Sequence, residues 1–469
     1  DDTITGVVLH SDTPPTGEFE CSDERLNQLQ RNILWGQRGN FLEVPTDCPQ
    51  RAERLGWTGD AQVFVRTACF NMDVAGFFTK WQQDLADSQS ERGEFPPVAP
   101  NTNVVGGDGG PGWADAAVIC PWTIYLCYGD KRILEQHYDS MARFLAYLEQ
   151  TSKDFIRCYE GYERFAGFGD WLSINADTPK DLIGTAFFAC SAGLMARISD
   201  VLGWKKEAKR YRKLVESIRE AFCRRFVTPA GRVACETQTG YILALHFDLL
   251  PEALRPAAAE ALVRNIERRG DHISAGFLGS PYIQHVLTRT GHLDVAYRLM
   301  AQQSWPSWLY AVTQGATTIW ERWDGWTHDK GFQDAGMNSF NHYAYGAVGD
   351  WLYAVVAGLD VDPDAPGYQR LRLHPRPGGA FTRARAALHT IHGRVESDWR
   401  IEGDQFHLSV TLPPNTGASL RLPAADAASV AEHGQPATDV HGVRFIEAGD
   451  GEAAYELQPG RYAFRSTMP

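Results

Sequence analysis

From Ser22 onward, apolar residues recur at helical spacing. Leu26, Leu29, Ile33 and Leu34 mark a first amphipathic stretch, with Ser22 or Asp23 placed to cap it. The same period returns after Thr58, after Asp73, from Trp113 to Tyr128 and from Asp130 to about Gln150. Thr178 and Pro179 open another helix that Gly203 ends, since Thr caps well and Pro suits the first helical position. Further stretches run to about Phe226, then over 236–248, 251–268, 277–290, 292–303 and 341–358. Eleven or twelve helices are thus predicted, in consecutive antiparallel pairs separated by longer loops. No strand alternates with them, which excludes a TIM barrel or Rossmann sheet. No constant 34-residue period marks a solenoid. The count fits six helical hairpins closed into a ring, a mainly α (α/α)6 barrel whose long loops gather into a cleft at one end.

After Asp362-Pro363 the period changes from helical to two. LRLHP, AALHTI, GRVESDWRIEG, QFHLSVTL, GASLRLP and RYAFR alternate between Pro and Gly breaks, as strands of an antiparallel β-sandwich do. The expected domains are therefore a helical barrel over 18–362 and a sandwich over 363–469. Ahead of them, TGVVLHSD reads as an extended segment within residues 1–17, closed by Pro14, Pro15 and Gly17. A lone strand is not stable by itself. The segment is expected to dock on another domain, or to be the remnant of, or linker to, an N-terminal β domain.

The 14 Trp, 17 Tyr and 23 Phe supply a rich core, stacking surfaces for sugar rings, or both. A net charge of -13 argues against a nucleic-acid partner, which needs clustered Lys and Arg. No run of about 18 apolar residues predicts a membrane span. The N-terminus lacks a basic-then-apolar leader, which points to the cytoplasm, although a leader already removed would leave no trace. Nine cysteines lie scattered between Cys21 and Cys235 without a CxxC pair. Free thiols in a reducing compartment are expected, with no metal and no cofactor.

One loop concentrates chemistry. In NFLEVPTDCPQRAERLGWTGDAQ (40–62), Asp47, Arg51, Glu53, Trp57 and Asp60 crowd among Pro45, Pro49, Gly56 and Gly59. A second candidate is Glu321, flanked by Trp320, Trp323 and Trp326. Carboxylate pairs across a cleft are the working parts of most glycosidases: one protonates the leaving oxygen, the other activates water or attacks. Asp115 after Trp113, Asp170 before Trp171, and His342 complete the set. Each has a plainer alternative. Arg51 and Glu53 make sense as a surface ion pair, Glu321 as a rim contact, Asp115 and Asp170 as helix caps or loop acceptors, His342 as a satisfied core residue.

DCPQRAERLGWTGDAQ (47–62) resembles the signature of bacterial α-L-rhamnosidases of glycoside hydrolase family 78. So do the 28 residues leading into it, GATTIWERWDG (315–325), MNSFNHYAYGAVGDWLY (337–353) and LPPNTGASLRLP near the C-terminus. The resemblance spans about 18–469. It implies an (α/α)6 barrel with flanking β domains, hydrolysing terminal α-L-rhamnose with inversion. By the same resemblance Glu53 is the general acid and Glu321 the general base acting through water. Asp47, Arg51 and Asp60 hold rhamnose hydroxyls and tune Glu53. Trp57, Trp113 and Trp171 form aromatic walls, and His342 touches the sugar. The implied partner is an α-L-rhamnoside; oligomeric state is left open. A general acid must keep its proton near neutral pH; Asp47 and Asp60 favour that and Arg51 opposes it. Two departures stand out. Ala52 occupies a position where the family usually has an acid, and the β domains that usually precede the barrel are absent from this chain. Two other readings remain: a different exo-glycosidase specificity on the same barrel, or a weakened rhamnose-binding protein. A polysaccharide lyase fits poorly, because this acidic loop repels a uronate.

Overall fold

A computed structural model describes residues 4–469. The first three residues of the expected 1–17 segment lie outside the described residues. Twelve α-helices of six residues or more follow in chain order: α1 Glu24–Asn40, α2 Thr58–Asn71, α3 Ala75–Asp87, α4 Ala116–Tyr128, α5 Arg132–Gln150, α6 Lys180–Val201, α7 Lys205–Phe226, α8 Gln238–His246, α9 Arg255–Arg268, α10 Ile283–Arg289, α11 Leu293–Ala301 and α12 Trp308–Thr313.

Their residue patterns assign them to two rings. α2, α4 and α8 are buried on nearly every side. α5, α7 and α9 bury one stripe and carry charge on the other face. A helix that is apolar all round belongs inside, an amphipathic one outside. Buried and amphipathic helices alternate along the chain, which is the order of an α/α barrel. α6 is long and apolar enough to cross a membrane by composition, but 78% of that stretch is buried inside the barrel.

The ring closes where the segment after Tyr343 meets α2. Here the expected helix over 341–358 is three short pieces: a 3-10 turn Ala344–Val348, an α turn Gly349–Trp351 and a π turn Leu352–Val356. The cause is Thr67. Its hydroxyl donates to the Ala347 carbonyl (2.8 Å) and accepts from the Asp350 amide (3.0 Å), so a side chain from α2 enters the helical ladder. Gly349 permits the approach, because a Cβ there would stand 2.7 Å from the Thr67 methyl. The helix expected over 277–290 also starts late, at Ile283, since 276–278 is spent on ligating Asp170 with backbone amides.

The C-terminal part is a two-sheet sandwich of seven and five strands. The strand Gly17–Cys21 pairs antiparallel with Arg383–Thr390 and so joins the seven-stranded sheet, not the barrel where residues from 18 onward were expected. TGVVLHSD itself forms no strand among the described residues. One pair in the smaller sheet is parallel, Gly417–Pro423 beside Arg370–Leu373; the remaining pairs are antiparallel. Trp399 Nε1 and Ser397 Oγ donate to the Val356 and Ala357 carbonyls, fastening the sandwich to the last turn of the barrel.

Candidate active site

The loop before α2 is held from both sides. Leu55 and Asp47 exchange backbone and side-chain bonds, Ala99 donates to the Gly56 carbonyl, and Thr58 donates to the Pro97 carbonyl. Gly56 must be glycine, since a Cβ would sit 2.2 Å from the Ala99 oxygen. At Gly59 a Cβ would stand 2.4 Å from the Trp113 ring, so its hydrogen lets that indole lie across the start of α2. Asp60 then falls in the first helical turn, where the dipole favours negative charge.

Glu321 comes from a different support. Its amide donates to the Ser339 carbonyl, and the His342 amide donates to the Ile319 carbonyl, each at 2.9 Å. These two strand-like segments are tied to the first loop by Ser339 Oγ to Gln50 Oε1 and by the Tyr343 hydroxyl to the Pro45 carbonyl, both 3.1 Å. Residues 268 positions apart thereby face one cavity.

That cavity measures about 210 Å³. Asp47, Glu53, Asp60, Glu321 and His342 give its polar wall; Trp57, Trp113, Trp171, Phe168, Phe277 and Met337 give its apolar one. Phe168 is the hub of the aromatic side, with its ring 5.5 Å from Trp57, 4.8 Å from Trp113 and 6.0 Å from Trp171.

Arg51 lies behind the two glutamates. Its Nε and Nη2 donate to Glu53 Oε2 at 2.8 and 2.5 Å, and Nη2 stands 3.5 Å from Glu321 Oε2. Those two oxygens are therefore no more than about 6 Å apart, below the ~6.5–9.5 Å an inverting pair keeps between its carboxyl groups. Between Asp47 and Asp60, two buried donors have no protein partner among the described residues: Arg51 Nη1 and Trp57 Nε1.

His342 Nε2 is 3.0 Å from Asp60 Oδ1, and its Nδ1 accepts from the Ala344 amide at 3.2 Å. The proton of the neutral ring thus sits on Nε2, facing Asp60. Burial alone pushes the His342 pKa down; the bond to Asp60 and the charges of Asp60, Glu321 and Asp47 outweigh it and raise it. The Asp47 carboxyl is pushed up to about 6, first by burial, then by the charge of Asp60. Burial also pushes up the Cys48 thiol, whose Sγ is 3.9 Å from Glu321 Oε2.

Asp47 yields a sign-definite prediction. Its pKa is higher folded than the usual 3.8, so the folded state binds the proton more tightly. Stability therefore falls as pH rises from about 4 to 6, and the penalty, on the order of 3 kcal/mol, is complete above that window. Asp47→Asn keeps an acceptor for the Leu55 amide. It should raise the urea midpoint at pH 7 and lose that advantage below about pH 4. Equal midpoints at pH 7 would refute it. His342 runs in the same sense: its contribution is present below its ordinary 6.5 and fades as pH climbs through the raised value.

Four expected contacts are elsewhere. Asp115 is buried away from the cavity, accepting from Ser191 Oγ at 2.6 Å and the Gly112 amide at 2.9 Å. Asp170 accepts from Thr239 Oγ1 and from the Gly276 and Leu278 amides, which clamps two loops together. Trp320 points to the far side of its segment, because neighbours along an extended chain alternate faces and Glu321 takes the inner one. Trp323 is core, donating to the Ala275 carbonyl at 2.9 Å and packed 3.9 Å from the Tyr345 ring. The sequence reading missed Phe168, Phe277, Met337 and Gln50. Phe168 carried a signal, an aromatic between Gly167 and Gly169 in a loop already rich in candidates.

A ring of helical hairpins with two carboxylates facing an aromatic cavity at one end is the architecture of a six-hairpin glycosidase domain. The family model for the bacterial α-L-rhamnosidase 6 hairpin glycosidase domain matches residues 14–356, and that for the bacterial α-L-rhamnosidase C-terminal domain matches 358–436. The chain belongs to the bacterial α-L-rhamnosidase family. An α-L-rhamnosidase of Streptomyces avermitilis is 46% identical over 462 residues, covering 98% of this chain and 43% of that protein. One from Formosa agariphila is 42% identical over 472 residues, covering 99% and 50%. The crystal structure of the Streptomyces enzyme complexed with L-rhamnose superposes with a TM-score of 0.92, over 98% of this chain and 43% of that one. The α-L-rhamnosidase of Dictyoglumus thermophilum, 32% identical, gives 0.90 over 98% and 51%. The chain spans about half the length of these relatives.

Proposed function

We propose that this chain hydrolyses terminal α-L-rhamnose from rhamnosides with inversion. Glu53 is the general acid and Glu321 the general base acting through water. The observation that carries this is the convergence of two glutamates from segments far apart in sequence on one small cavity walled by Trp57, Trp113, Phe168 and Trp171. Its volume is below that of a typical drug-sized pocket, which suits one terminal sugar. Asp47 and Asp60 line the cavity as acceptors for hydroxyls, and the unpartnered Trp57 Nε1 as a donor to them. The apolar wall suits the methyl group of a 6-deoxy sugar. The nine free thiols support a reducing compartment, the cytoplasm.

The test is incubation with an aryl α-L-rhamnoside, followed by NMR of the released sugar. β-L-rhamnose should appear first; initial release of the α-anomer rules out inversion, and a faster rate on another aryl glycoside rules out the specificity.

Ala52 sits exposed between Arg51 and Glu53. A carboxylate there offers the Arg51 guanidinium a second partner that fixes it in place beside Glu53. Ala52→Asp is expected to raise kcat on the same substrate by up to about fivefold, the scale of an exposed ion pair. An unchanged or lower kcat counts against this reading of Arg51.

A further inference from the structure

A cavity of about 570 Å³, larger than that of the candidate active site, lies apart from it. It occupies the bore of the barrel, between α2, α4, α10 and the last turns of the ring, and reaches the first strands of the sandwich. We propose that it is a second binding site, for a small hydroxylated carboxylate. This does not rest on the proposed activity.

Gln62 on α2 is the first reason. It is 2% exposed, it lines the cavity, and neither its Oε1 nor its Nε2 has a partner among the described residues. Two orphaned amide atoms are costly unless something in the cavity bonds them. An amide that donates and accepts at once suits an alcohol.

The second is what surrounds Gln62. His246 stacks on Tyr282 with ring centroids 4.1 Å apart, and neither side chain has a hydrogen bond among the described residues. Burial pushes the His246 pKa down to about 3, so it faces the cavity as a neutral donor and acceptor. These groups match hydroxyls.

The third is charge. Four arginines but only two aspartates line this cavity, in a chain of net charge -13. Arg66 is spent on Asp350 and Asp360, Arg372 on Asp362, and Arg289 on the Leu245 carbonyl and Asp248. Arg376 has no carboxylate within ion-pair reach among the described residues: Glu452, whose pKa is lowered by its bond to His374 and also by the Arg376 charge, is paired with that histidine. The one side-chain hydrogen bond of Arg376 is a 3.4 Å bond to the Thr288 carbonyl. A guanidinium left over beside hydroxyl-reading groups calls for a carboxylate on the same ligand.

Calorimetric titration of the full chain tests this with three probes: gluconate, which carries both features, sorbitol, which lacks the charge, and acetate, which lacks the hydroxyls. Gluconate should bind more tightly than either. Arg376→Gln, at the rim of the cavity, should weaken gluconate by about tenfold or more, and Gln62→Leu should weaken it likewise. Trp57→Ala, at the other cavity, should leave it unchanged. No binding of gluconate means the bore holds water only and overturns the proposal. So does sorbitol or acetate binding as tightly as gluconate, or loss of gluconate binding in Trp57→Ala.

Discussion

Glu321→Gln is expected to lower kcat by about 10²–10⁴-fold on every rhamnoside, whatever its leaving group, because activating water is needed in each case. Glu53→Gln should behave differently. Protonating the leaving oxygen helps most when the departing alcohol is a poor leaving group and little when it is an acidic phenol. The loss in Glu53→Gln should therefore be small on a dinitrophenyl rhamnoside and approach the full factor on an alkyl rhamnoside. Rates of both variants on a leaving-group series separate the roles without further assumption. A steep leaving-group dependence in Glu321→Gln and a flat one in Glu53→Gln would exchange the two assignments. Near-normal rates in both would remove the site from this cavity.

If Glu53 is the general acid proposed, the geometry adds a condition on how it works. Its Oε2 is held by two N–H groups of Arg51, so that oxygen is not free to hand a proton to a leaving group. Oε1 makes no hydrogen bond among the described residues and is the donor position this arrangement leaves. The same guanidinium reaches Glu321, which draws the pair together. For the proposed inversion, a sugar and a water entering between them must push the carboxyl groups apart to reach the spacing it needs.

How much of this could be read from the chain depends on the range of the interaction. The helical period of α1 to α6 is local, and Asp47, Glu53, Trp57 and Asp60 share one short loop whose prolines and glycines mark it as irregular. Pairing is another matter. The strand Gly17–Cys21 finds Arg383–Thr390, more than 360 residues away, and nothing nearby specifies that partner. Side-chain direction is equally nonlocal. Trp320, Glu321 and Trp323 look alike on the page, yet the ladder between Ile319 and His342 sends Glu321 inward, Trp320 outward and Trp323 into the core. Asp115 and Asp170 look like Asp60 in sequence. They serve the fold because Ser191, Thr239 and the 276–278 backbone arrive beside them from elsewhere in the ring. The break in the last helix has the same origin, a hydroxyl from α2 that the local sequence does not contain. The bore cavity exists only once the ring is closed.

Arg51 gives the second large effect. In Arg51→Met, Glu53 and Glu321 lose their shared cation within a site that also holds Asp47 and Asp60, leaving His342 as the cation-forming group on the cavity wall. Removing one partner of such a cluster typically costs ~3–5 kcal/mol, which corresponds to about 10²–10³-fold or more in kcat/KM if it falls on the transition state. Two consequences separate charge from packing. First, the pH–rate bell should move as a whole to higher pH, because every carboxylate around the vacated position holds its proton more tightly without the guanidinium. Second, Arg51→Lys should recover the pH profile but only part of the rate: an ammonium restores the charge, yet as a point donor it cannot give Glu53 two bonds while reaching Glu321. Thermal midpoints of the three proteins, measured beside the rates, show whether folding contributes. If Met and Lys variants lose activity equally and the bell stays where it was, Arg51 is a packing contact. The shared clasp on Glu53 and Glu321 would then have no part in catalysis, and the benefit expected from Ala52→Asp would go with it.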